Sequence, residues 1–127
     1  MSSINVMDLE LKRAFTEMQV NKIETTKKLK MFELQTEMLK TSKKKYEITD
    51  KEVSNLTPDT RVYSSVGRMF VLSSLPEIHD EIISKQGKCD EILKSLDDKR
   101  EFLLKTSKEQ EESLRELVQQ RKEARSN

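Results

Sequence analysis

One stretch of this chain, Arg61 to Ser74 (RVYSSVGRMFVLSS), is rich in β-branched and aromatic residues, and long polar stretches with helical patterning flank it on both sides. A chain with that order reverses at the break. Two helices then run back along each other from a hairpin whose outer edges carry backbone donors and acceptors for a partner. Val62 and Tyr63 open the first strand, Met69 to Leu72 make the second, and Gly67 is the one glycine in the segment that permits a tight reversal. The turn is expected at Ser65 to Arg68.

A lone hairpin is only marginally stable in water and needs further strands or a helix to pack on. The run Met69-Phe70-Val71-Leu72 is apolar on both faces, which suits a strand buried in a sheet built by several chains. The alternative is a hairpin folded back onto its own helices.

Composition supports a long, thin structure. Of the 127 residues 34% are hydrophobic and 37% charged, against a usual charged share of about 25%, so apolar material for a thick core is lacking. Two glycines, two prolines and no tryptophan argue against a loop-rich domain. The apolar residues are periodic, which weighs against disorder. Lys and Arg number 24 against 23 Asp and Glu, and a net charge of +1 gives no global field for nucleic acid or an acidic membrane. No apolar run approaches the ~18 residues of a spanning helix, and MSSINVMDLELKRAF lacks the pattern of a secretory signal. With Cys89 as the single cysteine, a reducing, cytoplasmic setting is expected.

In the first arm, a four-three spacing from Leu11 gives Leu11, Phe15, Met18, Lys22, Thr25, Leu29, Phe32, Thr36 and Leu39, a narrow seam at coiled-coil period. A helix over residues 7–46, on the order of 60 Å long, follows. The second arm opens at Ser74-Leu75-Pro76-Glu77, a capping box with proline in the first turn, and a helix is expected over 74–125. Its seam is Ile78, Ile82, Lys85, Cys89, Ile92, Leu96, Lys99 and Leu103, and the helix continues through Gly87. Beyond Leu103 apolarity slips to Leu114, Leu117 and Val118, and such a phase slip predicts loosening near the arm ends.

Residues 47–60 read as a connector, with Thr49-Asp50-Lys51-Glu52 capping a short helical turn and Thr57-Pro58-Asp59 forming a turn before the hairpin at 61–73. All of this belongs to one domain, 1–127. Matching apolar layers across the arms gives a register in which facing residue numbers total about 121. It pairs Leu39 with Ile82 and Phe32 with Cys89, at the cost of Lys22 facing Lys99 and Thr36 facing Lys85.

Asp8 to Gln19 (DLELKRAFTEMQ) and Val66 to Leu72 (VGRMFVL) resemble the corresponding stretches of eukaryotic β-class prefoldin subunits, and the likeness extends from about Asp8 to Arg121. The heptads are unspecific; the helix–hairpin–helix order with VGRMF is specific. The resemblance implies a long antiparallel two-helix coiled coil joined by a single β-hairpin, whose strands join a multi-chain β-barrel. It implies a hetero-hexamer of two α-class and four β-class subunits. It further implies ATP-independent capture of unfolded proteins, actin and tubulin among them, and delivery to the cytosolic group II chaperonin. Assembly then falls to Val62, Tyr63, Val66, Gly67, Met69, Phe70, Val71 and Leu72. Client contact falls to the arm tips: Ile4, Val6, Met7, Leu9 and Leu11 on one arm, and Leu114, Leu117 and Val118 on the other. Flexible apolar side chains suit contact with unlike partners. The alternative for Leu9, Leu11, Leu114 and Leu117 is that they close the coil.

Nothing in the chain points to catalysis, a cofactor or a metal. His79 has no second ligand at metal spacing, Cys89 falls on the seam as a small hydrophobe, and Lys43-Lys44-Lys45 reads as a solvated face near a helix C-terminus. Asp97-Asp98 and Glu109, Glu111 and Glu112 lack the enclosure that would tune a carboxylate pair. The competing function is a tethering coiled coil that scaffolds another complex.

Overall fold

A computed structural model describes residues 2–126, with side chains for residue 6 and residues 8–126. The order is helix α1 (Ser2–Ser54), strand β1 (Val62–Val66), strand β2 (Met69–Ser73) and helix α2 (Leu75–Ser126). Where one domain is expected, the packing groups into two units: Leu34–Leu96, and Met1–Glu33 with Asp97–Asn127.

In the unit Leu34–Leu96, α1 continues through the residues expected as a connector. Thr49, expected to cap a new turn, donates its hydroxyl to the Lys45 carbonyl (2.8 Å), and Ser54 does the same to Asp50 (2.8 Å). These are mid-helix back-bonds, not caps. No glycine or proline interrupts residues 46–54, and half-buried Tyr46, Asp50 and Val53 extend the inward face, so nothing stops the helix. It ends in tightened bonds from Asn55 and Leu56 to the carbonyls of Glu52 and Val53 (both 3.2 Å). A turn around Pro58 follows, closed by Thr60 N–H to the Thr57 carbonyl (3.0 Å).

β1 and β2 pair antiparallel from Val62 with Ser73 to Val66 with Met69, so Gly67 and Arg68 form the two-residue loop, one position later than expected. Gly67 has φ +63°, and among the described residues no other has positive φ. A positive first central residue is what a type II′ turn requires, and that turn matches the twist of paired strands. At the start of α2, Ser74 N–H meets the Glu77 carboxylate (3.4 Å) and Glu77 N–H meets the Ser74 hydroxyl (3.3 Å), a reciprocal cap. Ser64 donates to Glu81 (3.2 Å), tying β1 to α2. His79 pairs with Asp50 (2.6 Å) across the two helices.

Both helices pack through a seam one layer thick. Ile78, Ile82, Cys89 and Leu96 are buried in this unit, and Leu114 in the other. The register differs from the expected total of 121. Lys43 with Asp90, Lys22 with Glu111 and Arg125 with Asp8 each total 133, and Arg121 with Glu10 totals 131. At 132, half-buried Leu39, Tyr46 and Asp50 fall opposite Leu93, Gln86 and Ile82. In the other unit Leu11, Met18 and Asn21 fall opposite Arg121, Leu114 and Glu111 in the same way. The reason is the helix end. A total of 121 would set Ser54 against Gly67, inside the hairpin turn; a helix that persists to Ser54 must pair further along α2.

The seam membership changes accordingly. Ala14 and Asn21 turn inward in place of Phe15 and Lys22, and Gln86 and Leu93 in place of Lys85 and Ile92. The Lys22–Lys99 and Thr36–Lys85 layers vanish: Lys22 meets Glu111 (3.5 Å), while Lys85 meets Glu81 (3.3 Å) and lies 5.9 Å from the Tyr46 ring centre. Among the described residues the expected loosening beyond Leu103 is also absent. Inward positions Asn21-Thr25-Leu29 and Leu103-Ser107-Glu111 each carry two successive four-residue steps, and at a total of 132 the two shifts face each other. Matched shifts keep the helices in step, and ion pairs from Arg121 to Glu10 (3.2 Å) and Arg125 to Asp8 hold them together beyond it.

Candidate functional site

Residues directly opposite in an antiparallel pair share a face, so Tyr63, Ser65, Phe70 and Leu72 lie on one side of the hairpin and Val62, Ser64, Val66, Met69 and Val71 on the other. Among the described residues nothing covers the apolar side chains of either side. Phe70 is 74% exposed, Met69 67% and Leu72 61%; Tyr63, Val66 and Val71 are also exposed. Only the base, at Val62, Ser64 and Ser73, is half-buried. The hairpin is therefore not folded back on its own helices.

Both edges are open as well. A two-residue loop closes on a hydrogen-bonded pair, here Val66 with Met69, and bonded pairs recur at every second position. The backbone groups of Tyr63 and Ser65 on β1, and of Phe70 and Leu72 on β2, point outward to the edges. Gly67 holds the reversal that sets this alternation. A two-stranded sheet that is apolar on two faces and open on two edges can add strands and bury its faces.

The arm-end residues divide. In the unit Met1–Glu33 with Asp97–Asn127, Val6 (55%) and Leu9 (49%) are exposed, Leu11, Leu117 and Val118 are half-buried, and Leu114 is buried at 8%. Leu114 is thus packed into the seam of this unit. The side chains of Ile4 and Met7 lie outside the described residues. Two grooves run beside the seam. One, of about 600 Å³, is walled by Phe15, Met18, Leu114 and Val118 with Lys22 and Arg115 at its rim; the other, of about 450 Å³, is lined by Ala14, Asn21, Thr106 and Leu117. Met18 and Leu114 line both.

Several exposed apolar residues of α1 lie off the seam that the four-three spacing marks. Val20, Ile23 and Met31 in this unit, and Leu34, Met38 and Ile48 in the other, are each at least half exposed. The signal was present: 20, 23, 31, 34 and 38 repeat at helical spacing on the face away from Leu11, Met18 and Leu29.

The electrostatics are those of solvated pairs. Lys43 is bonded to Asp90 (2.6 Å), and that hydrogen bond with its charge holds the ammonium above the ordinary lysine value. Among the described residues no group of three or more His, Cys, Asp or Glu side chains converges on a metal-sized site, and no helix is long and apolar enough to cross a membrane.

Comparison with known proteins matches this geometry. The sequence pattern of the prefoldin subunit family fits residues 16–121. The chain is similar to prefoldin subunit 1 of Homo sapiens, 40% identical over 116 residues, spanning 91% of this chain and 95% of that protein. Prefoldin subunit 1 of Arabidopsis thaliana is 34% identical over 113 residues, spanning 89% and 88%. The fold resembles the crystal structure of the prefoldin beta subunit from Thermococcus strain KS-1, with a TM-score of 0.67 over 84% of this chain and 90% of that one at 16% identity.

Proposed function

The chain belongs to the prefoldin family of co-chaperone subunits, and from that premise we propose that it is a cytoplasmic β-class subunit of a hexamer with two α-class and three further β-class chains. Its hairpin supplies two strands to a shared β-barrel. Its arm ends hold unfolded proteins, actin and tubulin among them, without ATP and pass them to the group II chaperonin.

The observation that carries this reading is the hairpin, bare on both faces. Fully burying a large apolar side chain is worth about 1.5–3 kcal/mol. Six such residues, each roughly half to three-quarters exposed, therefore hold on the order of 5–10 kcal/mol that only association can release. A tether built on the same arms gives this surface no role.

For client contact the candidate residues are Ile4, Val6, Met7 and Leu9 on α1, together with Leu11, Leu117 and Val118, which are half-buried. Removing residues 1–7 tests the division of labour. The shortened chain is expected to enter the hexamer at wild-type yield while suppressing aggregation of a denatured client several-fold less well. Loss of the hexamer, or unchanged suppression, would refute it.

A further inference from the structure

We propose that the outward face of α1 around Ile23 is a second docking surface, and that its occupant is a segment of non-native protein in which apolar side chains are flanked by carboxylates. The proposal rests on the reading of the chain as a binder of unfolded protein, and specifies a place and a chemistry that the arm ends do not supply.

The face is set by helical spacing. Ile23, Lys27 and Met31 follow at four-residue steps, with Val20 before them and Lys30 beside them, so all five lie on one side of α1. The inward positions Asn21, Thr25 and Leu29 are half-buried, and Ile23 sits between the first two, turned to the opposite side. Val20 is 50% exposed, and Ile23 and Met31 are each 57% exposed. None of them serves the seam.

The charge is one-sided. A shallow groove of about 490 Å³ beside Ile23 is lined by Gln19, Lys22, Ile23, Thr26, Lys27 and Lys30, three lysines and no acid. Lys22 is engaged by Glu111 at 3.5 Å, whereas Lys27 and Lys30 make no ion pair among the described residues. An apolar floor with a cationic rim excludes a basic partner and gains from an acidic one through charge complementarity. The chain as a whole carries only +1, so this preference belongs to the face and not to the molecule's net field.

The test uses the reconstituted hexamer and two labelled, unstructured probes, a leucine–serine–aspartate peptide and its leucine–serine–lysine counterpart. The acidic probe is expected to bind about tenfold more tightly. Lys27→Glu with Lys30→Glu should weaken it about tenfold and abolish the preference, since each exposed charge pair is worth up to a factor of about five. Ile23→Gln with Met31→Gln should weaken both probes several-fold. All four positions lie outside the seam, so the melting temperature should be unchanged.

Acidic-probe binding at wild-type strength in either double variant would overturn the proposal. So would polyuridylate or phosphatidylglycerol vesicles displacing the probe with the same lysine dependence, which would mark a general anion surface. If the face variants leave aggregation suppression intact while removal of residues 1–7 abolishes it, this inference falls and the proposed function stands. If neither change affects suppression, both fall.

Discussion

Leu114→Ala separates a seam residue from a client contact, because the two roles predict opposite results. Leu114 is 8% exposed and lines both grooves beside Met18. The substitution removes three carbons, each worth about 0.8 kcal/mol when buried, or roughly 2.4 kcal/mol of transfer free energy. The void opens onto grooves on either side and flexible Met18 can relax into it, so the added cavity cost stays small and the total stays close to the transfer figure, about 2.5 kcal/mol, toward the low end of the usual range. The loss is local to the unit Met1–Glu33 with Asp97–Asn127. Amide hydrogen exchange in the assembled protein reads it directly, with protection across residues 97–126 falling about sixtyfold while residues 34–96 keep theirs. Leu9→Ala, at a site 49% exposed, should change exchange only a few-fold. If Leu114→Ala leaves exchange within a factor of about two but impairs client capture, Leu114 faces clients and does not pack in the seam.

Other outcomes follow from the same packing. Lys43→Cys should oxidise to a disulfide with native Cys89, because those positions face each other at a total of 132, whereas Phe32→Cys, its partner at a total of 121, should stay reduced; thiol titration after mild oxidation distinguishes them. Gly87→Ala should stabilise α2 by about 0.5–1 kcal/mol, since a Cβ there meets nothing within 4 Å and alanine is the better helix former; a lower melting temperature would point to a hidden role for the glycine. Asp90 raises the Lys43 ammonium above the ordinary lysine value of 10.5. The stability from that pair is therefore full below pH 10.5 and lost as pH climbs through the raised value. Melts of Asp90→Asn from neutral to strongly alkaline pH should lack this limb, and a limb of wild-type size would remove the pair as its source.

Local signals were legible in the sequence and angular ones were not. Gly67, the β-branched and aromatic run around it, and the Ser74–Glu77 box announce the hairpin and the start of α2 because each works through neighbouring backbone. Seam membership depends on a continuous angle, and adjacent residues differ by only one step around the helix. Ala14 could displace Phe15, and Leu93 could displace Ile92, without any change in composition. Thr49 misled for a related reason: a hydroxyl that can cap a helix can equally bond back to Lys45 inside one. Ending α1 at Tyr46 instead of Ser54 then carried through to the register, since the facing total is fixed by where the helices meet the hairpin. The arm-end site was only half legible. Periodicity marks Leu114 as apolar, but whether it faces a partner helix or a client depends on that same register.

The central claim is that the exposed hairpin is an assembly element, and the direct measurement is native mass spectrometry of this chain mixed with α-class prefoldin subunits and the remaining β-class chains. A discrete hexamer is expected, together with its loss when Phe70→Ser and Leu72→Ser remove apolar surface at the β2 edge without touching either helix. A stable monomer or a simple dimer in the wild-type mixture, or a hexamer that forms equally well with both serines in place, would contradict the account.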